Sequence, residues 1–240
     1  MNPTVVVSVA SRRRIARAKT WLTSRPQTEE VLVVGATLDG ANELARQVVQ
    51  DKGAAFGWHR LSFSQLAATI AAPLLAAREL VSLSRIGTEA IVARLVHRLS
   101  IEGKLGRYQS VSETPGFPRA MTNVIAELRS ARLRSNEVED IVPDLVPIFR
   151  EYERELAEGG FTDWPGTLEV ATNAIAGVRQ HRLVGLPILF LDVHISTEAE
   201  LALVTALTGA APASAVTKAN SASVDIRTSR NRIGRPTSLC

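Results

Sequence analysis

Val5-Val6-Val7-Ser8-Val9-Ala10-Ser11-Arg12-Arg13-Arg14 is the stretch on which the fold turns. Val5 to Val9 is an apolar, β-branched run of the kind buried on both faces of a parallel sheet, and from about Arg13 a helical pattern runs to Thr23, closed by Ser24-Arg25-Pro26. The turn joining them contains no glycine. A loop that cradles phosphate needs glycines to aim backbone N–H groups inward, then a Lys and a hydroxyl at the start of the helix. Ala10 to Arg14 supplies three arginines instead. The order strand, turn, helix is present without the chemistry that usually accompanies it.

Two more runs read as buried strands, Val31-Leu32-Val33-Val34-Gly35 and Ile188-Leu189-Phe190-Leu191-Asp192-Val193. The first and second strands with the helix between them make a βαβ unit. A second helix follows from about Asp39 to Asp51, with Leu44, Ala45 and Val48 on one face and Gly53 ending it. From there to Ile188 the pattern is helical. Ser62-Phe63-Ser64-Gln65 is a capping box that opens a helix to about Ala77, and further helices are predicted over Thr88 to Ser100, Arg119 to Arg132, Leu145 to Glu158 and Trp164 to Arg179. Gly103, Gly106, Thr114-Pro115-Gly116, Pro143 and Gly159-Gly160 separate them. After Val193, Thr197 and Glu200 are spaced as a second capping box, Leu201, Leu203, Val204 and Leu207 give the helix an apolar side, and a strand is possible near Ala213 to Thr217. The expectation is an α/β fold: residues 1–57 and 183–217 form a parallel-sheet domain, 58–182 a large all-helical insertion, and 218–240 a disordered basic tail. A sheet that stops here is expected to be incomplete.

The 240 residues, 45% of them hydrophobic, suffice for a sizeable core. The net charge of +4 resides in the segment from Val216 onward, with five basic residues and Asp225; the rest balances 23 basic against 23 acidic residues. Bulk charge therefore does not argue for nucleic acid. One local run, Arg12, Arg13, Arg14, Arg17 and Lys19, has no acid before Glu29 and reads either as a phosphate-contacting patch or as a solvated helix face. Cys240, the single cysteine, excludes an intramolecular disulfide and a Cys-cluster zinc site, which suits a reducing cytoplasm. No stretch approaches the roughly 20 apolar residues that span a bilayer. The N-terminus has its apolar run before its charges, the reverse of a secretory signal. A cytoplasmic protein with no membrane association is expected.

Specific segments carry a family resemblance. Glu30-Val31-Leu32-Val33-Val34-Gly35-Ala36-Thr37-Leu38-Asp39-Gly40-Ala41-Asn42-Glu43-Leu44-Ala45 resembles the second strand and motif Ia of superfamily I helicases, and Ile188 to Asp192 resembles their Walker B strand. Glu113 to Arg119, Ile125 to Arg129 and Tyr152 to Asp163 resemble the helical insertion of the AddB-type subunit of bacterial helicase-nucleases. The resemblance covers about residues 1–215. It implies a P-loop-NTPase-like parallel sheet with a helical insertion, in the branch whose helicase core is inactivated and whose complete members end in a PD-(D/E)XK nuclease. The chain would then be the N-terminal part of such a subunit, an ATPase-defective scaffold that guides DNA in double-strand-break processing and recombinational repair. Implied partners are a single DNA strand at a processed end and a motor/nuclease subunit.

Departures from the family pattern limit what carries over. Lys19-Thr20 imitates the end of a Walker A motif but lies two turns into its helix, where the Lys cannot reach a phosphate at the helix N-terminus. Asp192 stands where a magnesium-binding Asp would, yet Val193 follows where a working motor needs a Glu to orient water. No catalytic residue, metal or cofactor is expected. Ser11, Arg12 and Asp192 are the degenerate remnant of a nucleotide site, and Arg12, Arg13, Arg14, Ala36, Thr37 and Leu38 are the candidate DNA contacts. Thr37 reads equally well as a helix N-cap. Trp58, Trp164 and Tyr108 offer either stacking surfaces or core packing, His194 and the other histidines lack ligand spacing, and Arg119, Arg129, Arg132 and Arg134 give one insertion helix a cationic side. Three alternatives stay open: a nucleotide-binding protein whose arginines replace the glycine loop, a protein-interaction module, and a truncated product of an altered reading frame without independent function.

Overall fold

The computed structural model describes residues 4–177, 181–210 and 213–217, with 4–7 and 213–217 described as backbone only. The predicted basic tail lies outside the described residues. In chain order the elements are β1 (Thr4–Val7), α1 (Ser11–Thr23), β2 (Val31–Gly35), α2 (Leu38–Lys52), β3 (Trp58–Ser62), α3 (Phe63–Ala77), β4 (Val81–Ser82) and α4 (Arg85–Ile101). There follow α5 (Phe117–Ser130), α6 (Ser135–Ile141), α7 (Val146–Glu158), β5 (Phe161–Thr162), α8 (Trp164–Ala176), β6 (Ile188–Leu191), α9 (Glu198–Ala210) and β7 (Ala213–Thr217). The chain is mixed α/β, as expected. Among the described residues, contacts divide it into a sheet unit, residues 4–66, 181–196, 204–210 and 213–217, and a helical unit, residues 67–177 and 197–203.

In the sheet unit five strands pair in the order β1-β7-β6-β2-β3, every pair parallel. Val31 to Val34 and Ile188 to Leu189 are essentially inaccessible, so these two strands are covered on both faces, which is why they read as continuous apolar runs. Val31, Val33, Leu189 and Leu191 pack against Ala18 and Leu22 of α1 and Ala41, Leu44 and Val48 of α2. Both helices share this face because the crossovers β1-α1-β2 and β2-α2-β3 run in the same direction across the sheet and crossovers are right-handed. Ser62 and Gln65 make the predicted reciprocal cap, Ser62 N to Gln65 Oε1 at 3.0 Å and Gln65 N to Ser62 Oγ at 3.2 Å, and Thr197 and Glu200 make the other at 3.1 and 3.2 Å.

The expected boundary at residue 57 moves. Trp58 to Ser62 forms β3, which pairs with β2 in register Val33 to Arg60, so the sheet unit extends to Leu66. This edge strand carries His59, Arg60 and Ser62 and is only half buried, which leaves it without an uninterrupted apolar run to announce it.

The helical unit is built on α4, α5, α6 and α7. Val92, Leu95, Val96 and Leu99 on α4 meet Ile148, Phe149, Tyr152 and Leu156 on α7, with Met121, Ile125 and Val138 closing the cluster. Across the rim of the α4–α7 contact, Arg98 donates to Glu155 and Glu151, both at 2.7 Å, and Arg94 donates to Glu155 at 2.5 Å. The Arg98 hydrogen bond leads the effects that hold the Glu155 carboxyl below its usual value. A depressed folded-state value makes this contribution complete above the ordinary Glu value of about 4.3 and lost as pH falls through the folded one. Thermal melts taken between neutral and acidic pH should therefore show a smaller loss of stability in Glu155→Gln than in the parent chain.

Deeper in the same unit, Asp163 is almost fully buried and caps α8 by accepting from Gly166 N at 2.9 Å. Its carboxylate also accepts from Arg129 Nε at 2.6 Å, Arg129 Nη2 at 3.2 Å and the Tyr152 hydroxyl at 3.1 Å. Burial, reinforced by the Asp163 charge, pushes the Tyr152 phenol well above its ordinary value.

Candidate functional site

All five strands of the sheet unit are parallel, so the turns after β1, β2 and β6 emerge along one edge. The chain leaves β6 toward β7 on one side and β2 toward β3 on the other, and the crevice at such a reversal is where open α/β sheets bind ligands.

Arg14 occupies this edge. It lies one turn into α1, on the buried stripe that continues through Ala18 and Leu22, and is 6% exposed. Its Nε meets Asp192 Oδ1 at 2.5 Å and its Nη2 meets Oδ2 at 3.3 Å, a two-pronged pair across 178 residues of sequence. Its Nη1 donates to the carbonyl oxygens of Ser8 at 2.8 Å and Val9 at 3.1 Å. The turn after β1 thus presents C=O groups to its interior, where a phosphate cradle presents N–H groups. Its polarity is inverted: it is built around a cation, and the cation is covalently part of the chain. Asp192, at the end of β6, takes a left-handed backbone with φ of 55°, a conformation that Asp tolerates better than most residues and that accompanies its carboxylate's alignment on the guanidinium.

The expected arginine patch is corrected at one position. Arg12 and Arg13 are exposed and make no ion pair among the described residues, but Arg14 is turned inward and consumed by Asp192, so it is not available to an outside phosphate. Arg14 and Asp192 each stand out in the sequence, but their pairing, across 178 residues, has no signal there. Ser11 is exposed at the first position of α1, which begins two residues earlier than expected. Lys19 faces α2 and pairs with Asp51 at 3.2 Å, while the Thr20 hydroxyl donates back to Ala16 O at 3.0 Å, so neither points to the strand ends.

The turn after β2 is shaped by packing. Ala36 N donates to Leu191 O at 3.1 Å, tying this turn to the end of β6. Thr37 caps α2, its Oγ1 accepting from Gly40 N at 3.1 Å; Ala36 is exposed and Leu38 half buried. A Cβ on Gly35 would lie 2.4 Å from Thr37 O and 3.2 Å from Ala41 N, both backbone atoms. Gly35→Ala is accordingly expected to destabilise the sheet unit by about 1–3 kcal/mol through overpacking, measured by urea unfolding.

The aromatic residues divide. Trp58 packs against the sheet core, and the Tyr108 ring lies 5.8 Å from Phe117 and beneath the Arg107 guanidinium at 5.1 Å, while Trp164 is 37% exposed. His59 Nε2 contacts Glu30 at 2.9 Å, and His194 is exposed beside Asp192. Among the described residues no group of three or more His, Cys, Asp and Glu side chains gathers as metal ligands, and no helix is long and apolar enough to cross a membrane. No protein-family model and no curated protein matches the chain.

Proposed function

We propose that this chain is a non-hydrolysing, helicase-like scaffold of the AddB type, acting in the processing of DNA double-strand breaks for recombinational repair. In this reading the sheet unit is a P-loop-NTPase-like core whose nucleotide place has been filled from within. It holds shape and guides a single DNA strand passively while a motor/nuclease partner subunit translocates, in the cytoplasm. The carrying observation is the Arg14 guanidinium held between Asp192 and the Ser8 and Val9 carbonyls, the place where a motor protein of this strand order would hold phosphate and magnesium. A guanidinium there neutralises the one carboxylate positioned for a metal and leaves inward carbonyls that repel triphosphate oxygens. Exposed Arg12 and Arg13 on the same edge, and the hydroxyl-bearing turn at Thr37, support the DNA-guide half.

The test is anisotropy of a labelled oligothymidylate titrated with the full chain at two salt concentrations. Arg12→Ala and Arg13→Ala together should weaken binding and lower the dependence of log affinity on log salt by about one to two. Affinity and salt slope equal to those of the parent chain, or no binding by the parent, would contradict the guiding role.

A further inference from the structure

Helix α1 carries cations where a helix tolerates them least. The first turn of a helix presents unpaired N–H groups and the positive end of the macrodipole, which acidic residues stabilise. In α1 that turn has no acidic residue and no side-chain cap, and it holds Arg12 and Arg13. Arg17 follows Arg13 by one turn on the same side of the helix, a like-charge pair at i, i+4 that works against helix stability. All three arginines are exposed and make no ion pair among the described residues, whereas Arg14 is held by Asp192 and Lys19 by Asp51. Arg60 and Arg182 are exposed without an ion pair as well, but they stand on separate elements, β3 and the segment before β6. Only the outer side of α1 gathers such residues into a row.

Beside this row an open groove of about 450 Å³ lies between α1 and α2. Ile15 and Ala16 are its aliphatic part, Ser11, Arg12 and Lys19 border it on α1, and Gln47 borders it on α2. No carboxylate is among these residues. Two acids of α2 are already matched: Glu43 accepts from Arg46 at 2.8 and 2.7 Å and from Gln47 at 2.7 Å, and Asp51 accepts from Lys19 at 3.2 Å.

We propose that a single nucleic acid strand runs from the strand-end edge along the outer face of α1, its phosphates held in turn by Arg13 and Arg17 and one base lodged in the α1–α2 groove beside Arg12. This path rests on the DNA-guiding reading and extends it to Arg17 and the groove. Four residues of helix separate Arg13 from Arg17 by ~6 Å along the axis, the order of the spacing between successive phosphates on one strand. Guanidinium forks suit phosphate oxygens, and a lining free of carboxylates does not repel them. The aliphatic surface of Ile15 and Ala16 takes the flat face of a base, a group that lipid headgroups and acidic peptides lack.

The test is anisotropy of labelled oligothymidylate titrated with the full chain at two salt concentrations. Arg17→Ala is expected to weaken binding about threefold or more and to lower the dependence of log affinity on log salt by about 0.7, one phosphate contact on a single strand, while melting at or above the parent temperature. Ala16→Glu sets a carboxylate in the groove and removes no arginine; it is expected to weaken binding about fivefold or more. Arg60→Ala, on β3, is expected to leave affinity and salt dependence at the parent's values. Affinity that falls when Arg12 and Arg13 are both changed to Ala, yet is unchanged in Arg17→Ala or in Ala16→Glu, would overturn this path and leave the edge contact standing. A loss in Arg60→Ala as large as that in Arg17→Ala would also overturn it, as would anionic phospholipid vesicles bound through Arg17 by a chain whose oligothymidylate affinity ignores that residue. A parent chain that binds no oligothymidylate would contradict the path and the guiding role together.

Discussion

Replacing Asp163 with alanine is expected to destabilise the helical unit by about 3–5 kcal/mol, the scale for stripping one partner from a buried charge pair. One substitution takes an acceptor from three groups: the Arg129 guanidinium, the Tyr152 hydroxyl and the Gly166 N–H at the start of α8. Arg129 has a weaker recourse to Glu153 at 3.5 Å, but Tyr152 is fully enclosed and has no route to water. Urea unfolding followed by Trp164 fluorescence, in a background with Trp21 and Trp58 changed to Phe, reads this unit separately. The same network fixes an alkaline limit. Because the Tyr152 phenol is raised in the folded state, its contribution is intact below the ordinary Tyr value of about 10 and is lost as pH climbs through the folded value, so Tyr152→Phe should flatten the alkaline arm of the stability curve.

Asp192→Asn is the corresponding experiment in the sheet unit, with an expected loss of about 2–3 kcal/mol. Asparagine keeps the size of the side chain and its tolerance for the left-handed backbone, so the substitution isolates charge. Arg14 would remain buried with neutral acceptors alone, the Ser8 and Val9 carbonyls and the amide oxygen of the new side chain, and no counter-charge. The loss falls short of that for a fully enclosed pair because the Asp192 side chain is 37% exposed and partly screened by water. Adding Arg14→Leu to Asp192→Asn should recover part of the stability, giving a coupling of about 1–3 kcal/mol in a double-mutant cycle. Strictly additive effects would show that the two side chains do not act as a unit.

The contrast between Leu32 and Arg60 explains how far the sequence reveals the fold. Leu32 sits in a strand covered on both faces, so its whole neighbourhood is apolar and β2 is legible at once. Arg60 sits in an edge strand that water reaches, and nothing obliges the residues of β3 to be apolar. The helices α4, α5, α7 and α8 are legible because each buries a stripe against neighbours, whereas α6 has seven residues and buries Val138 alone. Caps are legible because they are local: Ser62 with Gln65, Thr197 with Glu200, and Thr37 all act within three or four residues. The candidate site is the opposite case. The absence of glycine after β1 was plain, and so was an isolated Asp192, but their meeting through Arg14 depends on the sheet bringing positions 14 and 192 together. Likewise the basic residues of α5 and the turn after it read alike, until the fold turns Arg129 onto Asp163 and leaves Arg132 exposed.

Calorimetric titration of the full chain with magnesium ATP tests the central claim most directly, namely that the turn after β1 is organised around a cation supplied by α1. No saturable heat is expected at millimolar nucleotide. Saturable binding that disappears in Arg12→Ala or Asp192→Asn would contradict the account, because it would place a triphosphate where Arg14 now closes the edge of the sheet.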